Sequence, residues 1–117
     1  MKIRLDVDGQ MVEATLYDNA TAKDFAALLP LSLTLDDYAV IERISDLPRK
    51  LSVEDAPAGM TPKAGDITYY APWGNLAIFA ERRAYAPRLL PLGRIESGLP
   101  AIQRPGPLKV RIERVPN

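Results

Sequence analysis

The run Tyr69-Tyr70-Ala71-Pro72-Trp73-Gly74-Asn75 decides how this chain is read. It separates two short apolar stretches, Ile67 to Ala71 and Leu76 to Ala80, and its Pro, Gly and Asn are residues that turns select. The two stretches therefore read as strands, and the run as their hairpin. The second strand is apolar on both parities, with Leu76 and Ile78 on one face and Ala77 and Phe79 on the other. A strand of that kind is buried on both sides. Tyr69 and Tyr70 point to opposite faces, because side chains alternate along a strand. Tyr70 shares parity with Pro72 and is the one expected to face a ligand.

Working outward, Ile3, Leu5 and Val7 alternate with Lys2, Arg4 and Asp6, and Val12, Ala14 and Leu16 resume the alternation after Asp8-Gly9. Asp-Gly between alternating runs is a strong hairpin signal. Thr21 with Asp24 resembles a capping box. Phe25, Leu28 and Leu29 then share one helical face, which predicts a short helix from Ala22 to Leu29, ended by Pro30, that covers an open end of the sheet or barrel. Leu31, Leu33 and Leu35 alternate as a third strand, with a turn expected at Asp36-Asp37. A fourth strand runs from Ile41 to Leu47. Residues 52–66 carry Pro57, Gly59, Pro62 and Gly65 and read as a long loop, the kind of segment that often carries function. Glu81 to Pro91, rich in Arg, is expected to be irregular. Leu92 to Ser97 and Leu108 to Val115 are the last strands, and Pro100, Pro105, Gly106 and Pro107 are expected to exclude regular structure between them. About eight short strands and one helix in a single domain over 1–117 indicate a mainly β protein, either a closed barrel or a sandwich.

Composition excludes more chemistry than it suggests. The 117 residues hold no Cys and no His. That removes disulfides, thiol nucleophiles, zinc sites built on Cys or His, and the His base of hydrolytic triads. Fifteen basic residues balance 15 acidic ones, so there is no basic field of the kind nucleic-acid binders use. The acidic residues are scattered, no EF-hand or Gly-rich phosphate loop is present, and neither a metal nor a cofactor is expected. No apolar run has the length of a signal peptide or a membrane span, so the expected compartment is the cytoplasm.

Several ordered runs resemble a known family. They are Leu16-Tyr17-Asp18-Asn19, Asp24-Phe25-Ala26-Ala27-Leu28-Leu29-Pro30-Leu31, Leu47-Pro48-Arg49-Lys50-Leu51, Gly65-Asp66-Ile67, the central hairpin through Leu76, and Leu92-Gly93-Arg94-Ile95. Over about residues 1–98 the chain resembles the bacterial cyclophilin-like-fold domain family, small proteins largely without assigned activity. The resemblance implies a closed eight-stranded cyclophilin-like β-barrel related to that of the peptidyl-prolyl isomerases. It does not carry the isomerase signature: the Phe-His-Arg and Trp-Leu-Asp-x-His runs that line the proline pocket of true cyclophilins have no counterpart in a chain without His.

The candidate binding residues are Tyr38, Arg49, Tyr70, Trp73, Asn75, Phe79, Arg94 and Glu96. Trp73 either packs over the barrel end or walls a ligand groove. Arg49 and Arg94 offer planar forks for a ligand carboxylate, and Arg94 and Glu96, on one strand face, could equally bridge each other. Arg82, Arg83 and Arg88 around Tyr85 read as a solvated loop. Three roles are open. The first is a binding module for a small molecule or peptide. The second is a prolyl isomerase with a rebuilt site, since amide rotation needs no proton transfer. The third is a protein that meets a copy of itself through an apolar patch.

Overall fold

Strict alternation builds the first hairpin. A computed structural model describes residues 1–116. β1 (Lys2–Val7) and β2 (Gln10–Leu16) pair antiparallel through the Asp8-Gly9 turn, with Ile3, Leu5, Val7, Val12, Ala14 and Leu16 all buried on one face. The remaining barrel strands are β3 (Leu31–Tyr38), β4 (Glu42–Asp46), β6 (Asp66–Tyr70), β7 (Asn75–Phe79), β9 (Leu89–Ser97) and β10 (Leu108–Arg114). They close in the order β1-β10-β3-β4-β7-β6-β9-β2, an eight-stranded antiparallel barrel. Closure leaves no barrel strand with an unpaired edge. The inward side chains form one apolar core, in which Leu35, Ile67, Leu76, Ile78, Leu92 and Ile112 are nearly inaccessible.

Two segments expected to be irregular are ordered. Gly59–Met60 (β5) and Ala86–Pro87 (β8) pair as a two-stranded flap outside the barrel. The chains approach so closely there that a Cβ on Gly59 would overlap Ala86 O and the Tyr85 hydroxyl, so only glycine fits. Leu99–Gln103 forms a short helix, α2, in the stretch that its prolines were expected to keep irregular. Pro100 sits in the first turn, where a missing N–H costs nothing, and Ala101 and Ile102 bury their side chains. The other helix, α1, spans Ala20–Ala26. Its N-cap is Asn19, whose Oδ1 accepts from the Ala22 N–H at 2.8 Å, and not Thr21. Asp24, the supposed box partner, is used elsewhere. Phe25 drops from this helix into the core.

The fourth strand lies where expected, but the turn before it does not. β3 runs through Asp36-Asp37, and the chain turns at Ala39 and Val40, both in the left-handed region at φ 51° and 64°. That conformation strains a β-branched residue. It is held from inside by Arg43, a 2 % exposed guanidinium. Arg43 Nη1 donates to Val40 O at 3.1 Å, Nε to Arg104 O at 2.9 Å and Nη2 to Gln103 O at 3.2 Å. Asp37, 3.3 Å away, supplies the counter-charge and also accepts from the Gly106 N–H.

β7 is buried at all five positions, as its two apolar parities require. Its inner face meets the core. Its outer face carries Ala77 and Phe79, which form a second cluster with Ala86 and Leu89, flanked by Ile44, Met60 and Tyr70. The flap is what covers this outer face.

Tyr69 spans the core and places its hydroxyl 3.0 Å from the Leu51 N–H, which donates to it inside the protein. Tyr69→Phe removes that acceptor and leaves a buried donor unpaired. It should lower unfolding free energy by about 1–3 kcal/mol in a denaturant titration, with the slope unchanged.

Candidate functional site

The hairpin between β6 and β7 places the first walls of the site. Gly74 takes φ 67°, and its N–H donates to Tyr70 O at 2.9 Å, closing the loop between β6 and β7. This turn lifts Trp73 clear of the surface, leaving it 57 % exposed. Trp73 does not stand alone. Its ring meets Tyr70 edge-on at 5.4 Å between centroids and Tyr38 at 5.6 Å, with interplanar angles of 84° and 82°. Perpendicular pairs at this spacing suit the aromatic quadrupole.

The three rings border a cavity of about 230 Å³ on the outside of the barrel wall. Asn75 and Glu42 line it from β7 and β4, Ala86 and Pro87 from the flap, Leu89 from the start of β9, and Arg83 from the segment before the flap. An apolar cavity of about 150 Å³ already admits benzene. This one has room for a small ring with a polar substituent. A larger, shallow depression of about 540 Å³ lies elsewhere, over the outer faces of β1, β10 and β3. Asp6, Asp8, Lys109 and Arg111 line it with balanced charge, and it offers no aromatic wall.

Of the residues singled out in the sequence, the structure brings Tyr38, Tyr70, Trp73 and Asn75 to the cavity. Phe79 lies behind it, fully buried in the outer cluster. Three others are elsewhere. Arg49 forks onto Asp24 at 2.9 and 2.8 Å, pinning the segment after β4 to α1. Arg94 and Glu96 occupy the far end of the β6–β9 pair, where Asp66 rather than Tyr70 is the neighbour. There Arg94 Nε sits 3.4 Å from Glu96 Oε1. A hydrogen bond from Thr15, backed by the charges of Arg94 and Lys2, lowers the Glu96 pKa.

Two polar residues of the cavity were not singled out. Glu42 begins β4 opposite Tyr38, and only 8 % of it is exposed. Arg83, read as part of a solvated loop, comes within 3.4 Å of its Oε2. Burial pushes the Glu42 carboxyl up, and the Arg83 charge only partly offsets this. A signal existed, since Glu42 shares strand parity with Ile44, but parity cannot show that a flap lies over that face. Asn75 is 3 % exposed. Its Nδ2 donates to Leu76 O, which leaves Oδ1 as the free end of the amide, and that oxygen has no partner. Among the described residues no group of three or more acidic side chains is placed to hold a metal ion, and no helix is long and apolar enough to cross a membrane.

Residues 5–113 match the family model described as the Cyclophilin-like family. The chain belongs to the Cyclophilin-like family. The match runs past the 1–98 expected from the motifs and takes in α2 and most of β10. No curated protein matches the chain in sequence. Among solved structures, one similar fold is that of the hypothetical protein AF2241 from Archaeoglobus fulgidus. It has a TM-score of 0.71 and 20% identity, over 98% of this chain and 95% of that one. Another is McbB, solved in complex with tryptophan, with a TM-score of 0.70 and 15% identity. That likeness covers 96% of this chain but 44% of McbB, so this cyclophilin-like chain spans less than half of McbB's length. At these identities the likeness shows a shared fold.

The Asp24–Arg49 contact gives a pH test of the scaffold. Hydrogen bonds from Arg49, and then from the Ser52 N–H, hold the Asp24 carboxyl below its usual range. A carboxyl whose folded pKa is depressed contributes stability that is full above its unfolded pKa and is lost as pH falls through the folded value. Asp24→Asn should therefore lower Tm at neutral pH. The gap to the unaltered protein should close in acid, below the ordinary carboxylate range, when both are followed by circular dichroism.

Proposed function

We propose that this chain is a binding module that takes a small molecule, or a single side chain of a peptide, in the cavity beside Trp73. One observation carries the reading: three aromatic rings from two hairpins converge at the mouth of a cavity that also holds a buried carboxylate and a guanidinium. Ligand sites are concave and join apolar walls to a few placed polar groups, and this cavity combines both. Tyr38 and Trp73 are 43 % and 57 % exposed. Apolar area covered by a ligand there returns about 25 cal/mol per Å². McbB, of which 44% shares this fold, was solved in complex with tryptophan, which supports a small-molecule occupant. The remainder of the reading is a bacterial protein acting in the cytoplasm, without metal, cofactor, nucleic acid or membrane.

Trp73 is the only Trp in the chain, so its emission reports on the cavity directly. Titration with pools of small metabolites and short peptides should shift or quench that emission saturably. Trp73→Ala, followed by calorimetry with the responding compound, should weaken binding about ten-fold or more. A folded protein that answers to no pool would sink the proposal.

Prolyl isomerisation is the alternative. It requires an apolar seat for the ring and a donor to the twisting amide nitrogen. Arg49 and Arg94 lie away from the cavity, so Arg83 is the guanidinium left for that task, and it faces Glu42. The binding-module reading therefore expects that exchange of X-Pro peptides, followed by NMR, stays at the uncatalysed rate, with time constants of roughly tens of seconds to minutes. Acceleration that is lost in Arg83→Ala would replace it with the isomerase reading.

A further inference from the structure

The two opposite charges of the cavity are unequally buried, and the inequality points to a ligand. Glu42 is far more buried than its counter-ion: its side chain is 10 % exposed and that of Arg83 is 39 %. The contact between them, 3.4 Å, is long for a charge-assisted hydrogen bond, which settles near about 2.8 Å. It is the only hydrogen bond the Glu42 carboxylate makes among the described residues. A buried carboxylate with so weak a partner is costly, and a donor arriving in the cavity, directly or through a water, would relieve it. The aromatic walls add to the same sign. The faces of Tyr38, Tyr70 and Trp73 carry negative quadrupole potential, which attracts cations and not anions.

Resting on the reading that this cavity binds a small ligand, we propose that the ligand is an organic ammonium, a protonated amine on a small apolar or aromatic body. The ammonium meets the Glu42 carboxylate and the aromatic faces, its N–H groups supply the donors that Glu42 lacks, and the apolar body lies against Pro87 and Leu89. Arg83 is the feature that opposes this assignment, because a guanidinium at a cavity wall attracts carboxylates. Its greater exposure means that water screens it more than it screens Glu42.

Three probes of similar shape separate the alternatives: benzylamine, protonated at neutral pH; benzyl alcohol, uncharged; and benzoate, an anion. Each is titrated into the full chain, with Trp73 emission and NMR shifts of the probe as independent readouts. Benzylammonium should bind at least about ten-fold more tightly than benzyl alcohol. In Glu42→Gln, checked by thermal unfolding, that preference should fall to within about two-fold while the affinity for benzyl alcohol is kept. The comparison of probes on the unaltered protein stands even if the variant fails to fold. Equal affinity for amine and alcohol overturns the ammonium assignment and leaves the binding site in place. Tightest binding by benzoate overturns it in favour of Arg83. Silence from all three, together with silence from the metabolite pools, removes the site and the assignment with it.

Discussion

A strand buried on both faces is the constraint from which the rest follows. Every side chain of Asn75–Phe79 is buried, and all but that of Asn75 are apolar, so the strand tolerates water on neither side of the sheet. Its inner face is satisfied by the barrel core, which any closed sheet provides. Its outer face needs a cover that the barrel cannot provide, because barrel strands normally show their outer side to solvent. The chain meets this demand by folding residues around 59–60 and 86–87 back over β7. A cover of four paired residues cannot seal the whole face, and the space left at its edge is the cavity. Site and scaffold thus have one origin: the cavity exists where a two-sided apolar strand is incompletely roofed.

The rim is placed by a second device. Tyr38 stands immediately before a turn whose two leading residues, Ala39 and Val40, hold the left-handed conformation without glycine. Such a turn persists only if its surroundings impose it. Arg43 does so from within, donating to Val40 O and at the same time to the carbonyls of Gln103 and Arg104 at the end of α2. Those carbonyls are among the groups a helix leaves without partners at its C-terminus. One buried cation therefore serves the loose ends of two separate segments, with Asp37 as counter-ion. The position of the aromatic rim is coupled through it to a helix that never touches the cavity.

What the sequence could convey was local. Period-two alternation located the strands, Asp8-Gly9 and the Pro72-Trp73-Gly74 loop located two hairpins, and the double apolarity of Leu76 to Phe79 announced two-sided burial. Tyr70 and Trp73 could be nominated because they flank a turn. The flap could not be read, since Gly59–Met60 and Ala86–Pro87 are short and carry no propensity signal; they pair only because β7 requires a roof. Without the flap, Glu42 and Arg83 look like ordinary surface charges, and Arg49 and Arg94 look equally suited to a ligand. Pro100 misleads for a different reason. Proline argues against a helix interior but suits a first turn, and only the start of the helix, set by Gly98 and the burial of Ile102, decides between the two.

The strand order has a bearing on how the chain reaches this state. β10 lies between β1 and β3. Until Leu108–Arg114 is in place, the other seven strands form an open sheet whose two exposed rims are β1 and β3. Closure must therefore wait for the most distant pairing in the chain, a slow kind of step because loop entropy is spent before contacts repay it. During synthesis a ribosome-bound intermediate would present both rims as templates for intermolecular pairing. The charged outward residues of those strands, among them Lys2, Arg4 and Asp6, then act as gatekeepers against aggregation in the nascent chain as well as a solvated surface in the finished one.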